Sequence, residues 1–337
     1  MDLFLIRGIG EELKKEICGG FINKIYQLNR YDLLLRIRRQ GQEKNLLIST
    51  HPDYSRWHLT EKKYVPPPTP PRFSAYLRKH VHGARVVEIV QEPYERIMRL
   101  HLEKLLDANL IRKLTLVVEL LGKKSNVFLV EGEKILEALH RSPIGEKEEK
   151  ENIPGKNYVL PQMGNKLLPP EVTREVMGEI ASFPIGEQWR VMVQKIAGLS
   201  PLLAKEIELV SGGDPHKMWE NFCALWARYN SGRFEPQIVT LLNGKKILCP
   251  WPLVSLKGEV AQSYSSLNQG ADDFYYELTT GHQIKEQKQH MLKRIRQLLE
   301  RLQKRKENLL LDKEKLTKDL QLKAWGDILV ANYAKLK

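Results

Sequence analysis

Few sequence features restrict a fold as tightly as sustained heptad spacing, and this chain carries it near its C-terminal end. Between Glu286 and Leu322, apolar residues recur at Leu292, Ile295, Leu299, Leu302, Leu309, Leu316 and Leu320. That 3,4 spacing predicts a helix that offers one narrow seam to a partner. Two seam positions are filled by Lys306 and Lys313. Between Lys285 and Lys323 stand 13 Lys/Arg against 6 Asp/Glu, more than half of the chain's net charge of +13. A turn-like break is expected at Trp325-Gly326-Asp327. No second strand for the seam follows, so another chain or a continuation of this one must supply it. The pattern predicts a projecting basic arm on a globular body, which reads as a binding protein before an enzyme. The competing reading is a lysine-rich helix that is only a solvated face.

The rest of the 337 residues divides by its periodicity. A helix is expected from Ile6 to Ile17, ended by Gly19-Gly20. Alternating segments then predict strands at Phe21–Leu28, Asp32–Arg38 and Lys44–Ser49. His51–Thr60 reads as a loop leading into the stiff run Pro66-Pro67-Pro68-Thr69-Pro70-Pro71. A helix opens at Phe73 and ends near Gly83. Further strands are expected at Arg85–Val90, Arg96–Leu102, Leu114–Leu120, Asn126–Val130 and Lys134–Ala138. Together these make a sheet-rich α+β unit of about 140 residues. Gly145–Lys166 reads as a linker or irregular cover. Helices follow at Gln188–Ala197, Pro201–Val210 and Pro215–Asn230, the last with Trp219, Phe222, Cys223, Trp226 and Tyr229 on one apolar face. Gln237–Leu241, the Asn243-Gly244 turn and Lys246–Cys249 predict a hairpin. Ser255–Tyr276 is expected to pack around the foot of the final helix.

Several classes of chemistry are disfavoured. No nucleophile-elbow, phosphate-loop, dinucleotide-binding or HExxH pattern occurs, so neither a catalytic centre nor a cofactor is expected. Cys18, Cys223 and Cys249 are far apart, and the pairs His80/His82 and His51/His58 lack metal-ligand spacing; no metal site is expected. No apolar run approaches 18 residues, and the first residues carry no signal-peptide pattern, so the chain is expected to be cytoplasmic and to have no membrane partner. The charge instead favours a polyanion. Arg72, Arg78, Lys79, His80, His82 and Arg85 form a basic segment interleaved with Phe73 and Tyr76, suited to phosphate contact with base stacking; Tyr76 serves equally well as core. Glu95 and Arg96, read as neighbours at the start of a strand, would point to opposite faces. Lys195 to Lys205 reads as helix, Gly-containing turn and helix, whose second N-terminus can receive a phosphate, although many helix pairs are joined this way without touching an anion.

In order, Gly20-Phe21-Ile22-Asn23-Lys24-Ile25-Tyr26-Gln27, Leu47-Ile48-Ser49-Thr50-His51-Pro52, Pro71–His80, Glu95-Arg96-Ile97, Gly122-Lys123-Lys124-Ser125-Asn126, Gly198–Ala204 and the basic coiled-coil helix form a combined signature. On these segments the chain resembles the N-terminal two-thirds of the NFACT (fibronectin-binding-protein-A-like, RqcH/NEMF) family of ribosome quality-control factors. The resemblance implies an α+β fold: a sheet-rich domain similar to that of formamidopyrimidine-DNA glycosylases over residues 1–170, a helix-hairpin-helix region over 171–282, and the first arm of an incomplete coiled coil over 283–337. Met1-Asp2 stands where glycosylase chemistry needs a proline amine and a glutamate, so base-excision activity is not expected.

The resemblance further implies partners: the large (50S) ribosomal subunit, a stalled peptidyl-tRNA and a tRNA, alanine tRNA for bacterial alanine tailing without mRNA. Carried onto the matching positions, tRNA contacts are expected at Asp2, Arg72, Arg78, Lys79, His80, Glu95, Arg96, Lys123, Lys124 and Ser125. Backbone contacts of the helix-hairpin-helix fall at Gly198, Ser200 and Lys205. Ribosome contacts fall at Lys304, Arg305, Lys306 and Lys313. Glu95 replaces the family's usual aspartate and lengthens its reach by one methylene. The second arm and a C-terminal domain do not appear, so the chain is expected to be a fragment, and its unpaired seam is open to adventitious dimerisation. Two other classes compete: a surface adhesin that binds fibronectin, and a catalytically inactive glycosylase-like DNA-binding protein.

Overall fold

The computed structural model describes residues 1–106, 110–141, 152–161, 164–256 and 258–333; of the expected linker Gly145–Lys166, residues 145–151, 162 and 163 lie outside them. They form two compact units, Met1–Glu277 and Leu278–Lys337.

The first unit is organised around helix α1 (Leu3–Ile17), which starts three residues before the apolar periodicity because Asp2 caps it. The Asp2 carboxylate accepts the Leu5 N–H at 2.9 Å, satisfying a donor that the first turn leaves without a partner. Leu3, Phe4, Leu5, Ile6, Ile9, Leu13 and Ile17 are all buried, so this helix is enclosed rather than merely amphipathic. Strands β1 (Phe21–Gln27), β2 (Asp32–Arg39), β3 (Gln42–Ser49) and β4 (Arg56–Thr60) follow as an antiparallel meander. β4 corrects the expected loop over His51–Thr60. Its alternation is hidden because Arg56 and His58, polar in the sequence, are both buried.

After the proline run, helix α2 (Arg72–Val81) leads to β5 (Arg85–Gln91), β6 (Ile97–Leu105), β7 (Ile111–Glu119), β8 (Asn126–Glu131) and β9 (Lys134–Ala138). The nine strands run β4-β3-β2-β1-β5-β6-β7-β8-β9. The two halves of the sheet meet where Phe21 pairs with Arg85, held by Ile22 N–H donating to the Ala84 carbonyl at 2.9 Å and Val86 N–H to the Gly20 carbonyl at 2.8 Å. Across the far ends, Thr50 Oγ1 and His140 Nε2 lie 2.8 Å apart, so the residues that follow β3 and β9 are brought together.

Four helices come next: α3 (Arg174–Ala181), α4 (Gln188–Lys195), α5 (Pro201–Ser211) and α6 (Pro215–Ser231). Their core includes Met177, Met192, Ile196, Leu203, Met218, Phe222 and Trp226, and α1 contributes Leu3 and Phe4 to it. Phe4 lies 5.1 Å from Trp226, 5.2 Å from Tyr229 and 5.7 Å from Trp251 between ring centroids. The start of α1 thus pins the sheet-rich part to the helices through aromatic packing. Cys223 is exposed, which corrects its assignment to the buried face of α6; Met218 and Leu225 complete that face instead.

The hairpin of β10 (Gln237–Leu241) and β11 (Lys246–Cys249) forms at the expected residues, and β12 (Gly258–Ser263) pairs on the other side of β10. Helix α7 then runs from Leu267 to Asn332. It begins well before Glu286 because the Glu12 carboxylate caps it from α1, accepting the N–H groups of Leu267 at 2.7 Å and Asn268 at 3.0 Å. Residues 267–276 therefore open the final helix rather than packing around its foot. Its other end runs straight through Gly326, which corrects the expected break at Trp325-Gly326-Asp327. A single glycine weakens a helix interior by only about 1 kcal/mol, and no proline accompanies it. No helix among the described residues is long and apolar enough to cross a membrane.

Candidate nucleic-acid interface

Two helix starts and one turn converge on a pocket of about 290 Å³. Asp2 stands at the start of α1 and Ser200 at the start of α5, each as its helix's N-cap. The Ser200 hydroxyl donates to Asp2 Oδ2 at 3.4 Å and accepts the Leu203 N–H at 3.4 Å. The third side is the turn before β6. Glu95 N–H donates to the Glu92 carbonyl at 3.1 Å, and Tyr94 sits at φ +57°. Glu95 and Arg96 thus lie ahead of the strand, which begins at Ile97. The expectation that strand alternation sends them to opposite faces is corrected: in a turn that rule does not apply, and both line the same pocket.

Gly198 makes the junction possible. It sits at φ +72°, and a Cβ there would stand 2.6 Å from Leu3 Cδ2 and 3.3 Å from the Tyr94 carbonyl. Only glycine meets both demands. The turn is also tied to the segment before α3, with Leu167 N–H donating to the Lys195 carbonyl at 2.8 Å and Ala197 N–H to the Leu167 carbonyl at 2.9 Å. That pairing carries Lys166 to the pocket rim, where its ammonium donates to the Val193 carbonyl at 2.8 Å. Lys166 and Tyr94 were not among the expected site residues. Lys166 lies in a stretch without periodicity, so nothing local marks it.

Five expected positions meet here: Asp2, Glu95, Arg96, Gly198 and Ser200. Burial raises the Asp2 carboxyl above its usual value, opposed by the Leu5 N–H, the terminal amine and Ser200. Burial likewise raises Glu95, opposed by the backbone N–H and charge of Arg96. Behind them Glu119, 4% exposed, is pushed up to about 7 by burial, although the Tyr158 hydroxyl donates to it at 2.7 Å. Chemically, the pocket offers a guanidinium, an ammonium, two carboxyls, a hydroxyl and the positive end of an 11-residue helix. Such a set can grip a phosphate and read hydrogen-bonding edges at the same time.

The basic residues of α2 are employed differently. Arg72 pairs with Glu137 at 2.5 Å and donates to the Ala138 carbonyl at 3.1 Å. Arg78 donates to the Ile25 carbonyl at 2.8 Å, with its guanidinium 5.6 Å from the centre of the Tyr26 ring. His80 stacks on Tyr76 at 4.3 Å and contacts Arg112 at 2.9 Å; burial and the Arg112 charge lower its pKa. Lys79 is exposed, and its carbonyl accepts Lys104. Lys123 and Lys124 are exposed in a 3-10 turn, whereas Ser125 is buried. Lys205 lies over the Trp189 ring at 4.5 Å. None of these lines the Asp2–Arg96 pocket. In the second unit, Lys304, Arg305, Lys306 and Lys313 are exposed along α7, as are the seam leucines. Among the described residues, no group of three or more His, Cys, Asp or Glu is placed to hold a metal ion.

The fold is similar to that of the N-terminal part of the fibronectin/fibrinogen-binding protein from Streptococcus suis. That structure covers 82% of this chain and 99% of its own, with a TM-score of 0.69 and 27% identity. The fibrinogen binding protein from Staphylococcus aureus is similar at TM-score 0.70 and 26% identity, covering 81% of this chain and 98% of its own. The chain belongs to the NFACT family: the family's N-terminal and middle domains match residues 2–337. Among its relatives is the Rqc2 homolog RqcH of Bacillus subtilis, 33% identical over 344 residues, which cover 98% of this chain and 58% of the relative. The archaeal Rqc2 homolog aRqcH of Methanocaldococcus jannaschii is 27% identical over 95% of this chain and 48% of its own length. The chain spans about half the length of the curated relatives it matches.

Proposed function

We propose that this chain is the tRNA-holding portion of a ribosome-associated quality-control factor. In this reading it binds a large (50S) ribosomal subunit that still carries peptidyl-tRNA, and holds tRNA, alanine tRNA foremost, so that the stalled chain is extended without mRNA. The observation that carries the reading is the convergence of Asp2, Glu95, Arg96, Gly198 and Ser200, drawn from three distant parts of the sequence, on one pocket with an uncommitted guanidinium. Arg96 supplies the charge for a phosphate, and the two carboxyls and Ser200 supply the hydrogen-bonding edges. Peptide-bond chemistry belongs to the ribosome; the chain contributes binding and orientation. Lys304, Arg305, Lys306 and Lys313 supply exposed positive charge for ribosomal RNA.

The test is binding of the purified chain to deacylated alanine tRNA and to isolated 50S subunits, with immobilised fibronectin as the competing ligand. The expected result is salt-sensitive binding to both RNA ligands, weakened on tRNA by Arg96→Ala. Binding to fibronectin with none to tRNA or 50S subunits would favour the adhesin reading and overturn this one.

A further inference from the structure

The far end of α1 carries a second constellation that the Asp2–Arg96 pocket does not use. The helix has 15 residues, so its two ends are separated by about 22 Å. Beside that far end, three strands bring three exposed side chains into one row. Arg38 on β2 is paired with Phe21 on β1, and Phe21 is paired with Arg85 on β5. Directly paired residues project from the same face, and neighbouring strands lie about 4.8 Å apart. The aromatic ring therefore stands between two guanidinium-bearing chains, in a row about 10 Å long.

Phe21 is 53% exposed, while the next residue, Ile22, is fully buried on the opposite face. Arg38 and Arg85 are exposed as well. With Arg39 and Gln40 they line a concavity of about 490 Å³. Arg39 is committed to the Lys15 carbonyl at the end of α1. The outer neighbours in the row are acids, Glu43 opposite Arg38 and Glu103 opposite Arg85. Glu43 is occupied by Arg36 at 3.8 Å and by the Asn23 amide at 3.1 Å. Among the described residues, the side chains of Arg38 and Arg85 have no hydrogen-bond or ion-pair partner.

We propose that this row binds an unpaired stretch of RNA, with one base stacked on Phe21 and the flanking phosphates held by Arg38 and Arg85. A base offers a π-face that an exposed phenyl ring can cover regardless of sequence, and arginine forks match phosphate oxygens. A protein partner docking through an exposed phenylalanine would find apolar neighbours around it; here the neighbours on both sides are cations. An RNA duplex keeps its bases stacked internally and presents only its backbone and a shallow groove, so it can use the arginines but not the ring. The row shares no residue with the Asp2–Arg96 pocket, so it can fail while the tRNA-holding reading stands, and the reverse.

The test uses the full chain with a ten-nucleotide oligouridylate and a ten-base-pair RNA duplex, each titrated by fluorescence anisotropy. Phe21→Leu keeps an apolar side chain at an exposed position and removes the stacking face. It is expected to weaken oligouridylate binding by at least about fivefold and to leave duplex binding within about twofold, with an unchanged circular dichroism spectrum. Arg38→Gln with Arg85→Gln is expected to flatten the salt dependence for both ligands. Because the exposed lysines of α7 offer RNA a second cationic surface, the oligouridylate is in addition cross-linked by ultraviolet light and the adduct mapped by mass spectrometry. An adduct on the peptide containing Phe21 supports the row. Adducts confined to residues 285–323, or an equal effect of Phe21→Leu on both ligands, overturn it.

Discussion

Arg78 and Arg96 carry the same charge and both come from segments that mark the family, yet the fold uses them in different ways. Arg78 donates to the Ile25 carbonyl and covers the Tyr26 ring, which fixes α2 to β1. Arg96 is held in a turn beside Asp2, Glu95 and Lys166, and among the described residues its guanidinium has no hydrogen-bond partner. Arg72 follows Arg78, being occupied by Glu137 and the Ala138 carbonyl. A basic side chain already satisfied inside the protein has little to offer a ligand without first giving up a contact. Unsatisfied charge that the backbone holds in place is what distinguishes a binding site from a basic surface.

The largest effect that would separate the two regions lies at the pocket. Arg96→Ala is expected to lower affinity for alanine tRNA by at least about tenfold, the scale of one lost charge-assisted hydrogen bond. The melting temperature should stay close to that of the parent, because among the described residues the guanidinium makes no hydrogen bond or ion pair. A tRNA titration paired with a thermal melt measures both. A variant that binds normally, or that melts much earlier, would erase the distinction between Arg96 and Arg78.

Glu119 sharpens the acidic side of the comparison. Its pKa is pushed from 4.5 up to about 7 by burial, so the folded chain holds this proton more tightly than the unfolded chain does. Between about pH 4.5 and pH 7 the folded state therefore binds more protons, and stability falls as pH rises through that window. Glu119→Gln keeps an acceptor for the Tyr158 hydroxyl and removes the charge. It should gain on the order of 2 kcal/mol over the parent at pH 8 and nothing near pH 4, measured by urea denaturation at the two pH values. An equal gain at both would mean that burial of the charge is not the cause.

Arg78→Ala gives the mirror image of Arg96→Ala with a similar or smaller free-energy change. Loss of its bond to Ile25 and of its cover over Tyr26 should cost about 2 kcal/mol of stability. Its effect on tRNA affinity should stay within about threefold, the effect of one missing surface charge. Chemical denaturation with the same tRNA titration decides whether α2 is scaffold or ligand surface. A strong binding loss with unchanged stability would return α2 to the interface.

How much of this was legible follows from where each signal resides. The Asn243-Gly244 turn marked the β10–β11 hairpin, and alternation located β1, with β2 and β3 completing its meander. Alternation missed β4, where Arg56 and His58 are buried, and where polarity therefore carried no information about exposure. The long helix was legible from its heptads, but its start was not, because Glu12 provides the cap from 255 residues away. Glu95, Arg96 and the turn within Lys195–Lys205 were marked by residue type and pattern, Asp2 and the tRNA role of the set came through the family resemblance, and only the fold brings them to one pocket. Lys166 was invisible: its place depends on the pairing of Leu167 with the turn after α4, a tertiary contact with no local pattern. The arginines of α2 were legible as basic residues, but not as spent ones, since their partners Glu137 and Ile25 lie elsewhere in the sheet.

The smallest effect tests whether exposure alone makes a lysine useful. Lys123 and Lys124 are exposed in the 3-10 turn that follows β7, and the Leu120 N–H donates to the Arg96 carbonyl at 2.9 Å. The turn is therefore anchored close to the pocket's arginine while its ammonium groups remain outside the pocket lining. Such groups act on a polyanion through screened charge, without directional contacts. Lys123→Gln with Lys124→Gln should accordingly weaken every tRNA by a common factor of about two to five near physiological salt and reduce the slope of log affinity against log salt by about one to two. A preference among tRNAs that changes with the substitution would mean that the two lysines read the ligand directly. The contrast would then lie between Arg78 and this whole β7–β8 edge, with Arg96 as only one member of it.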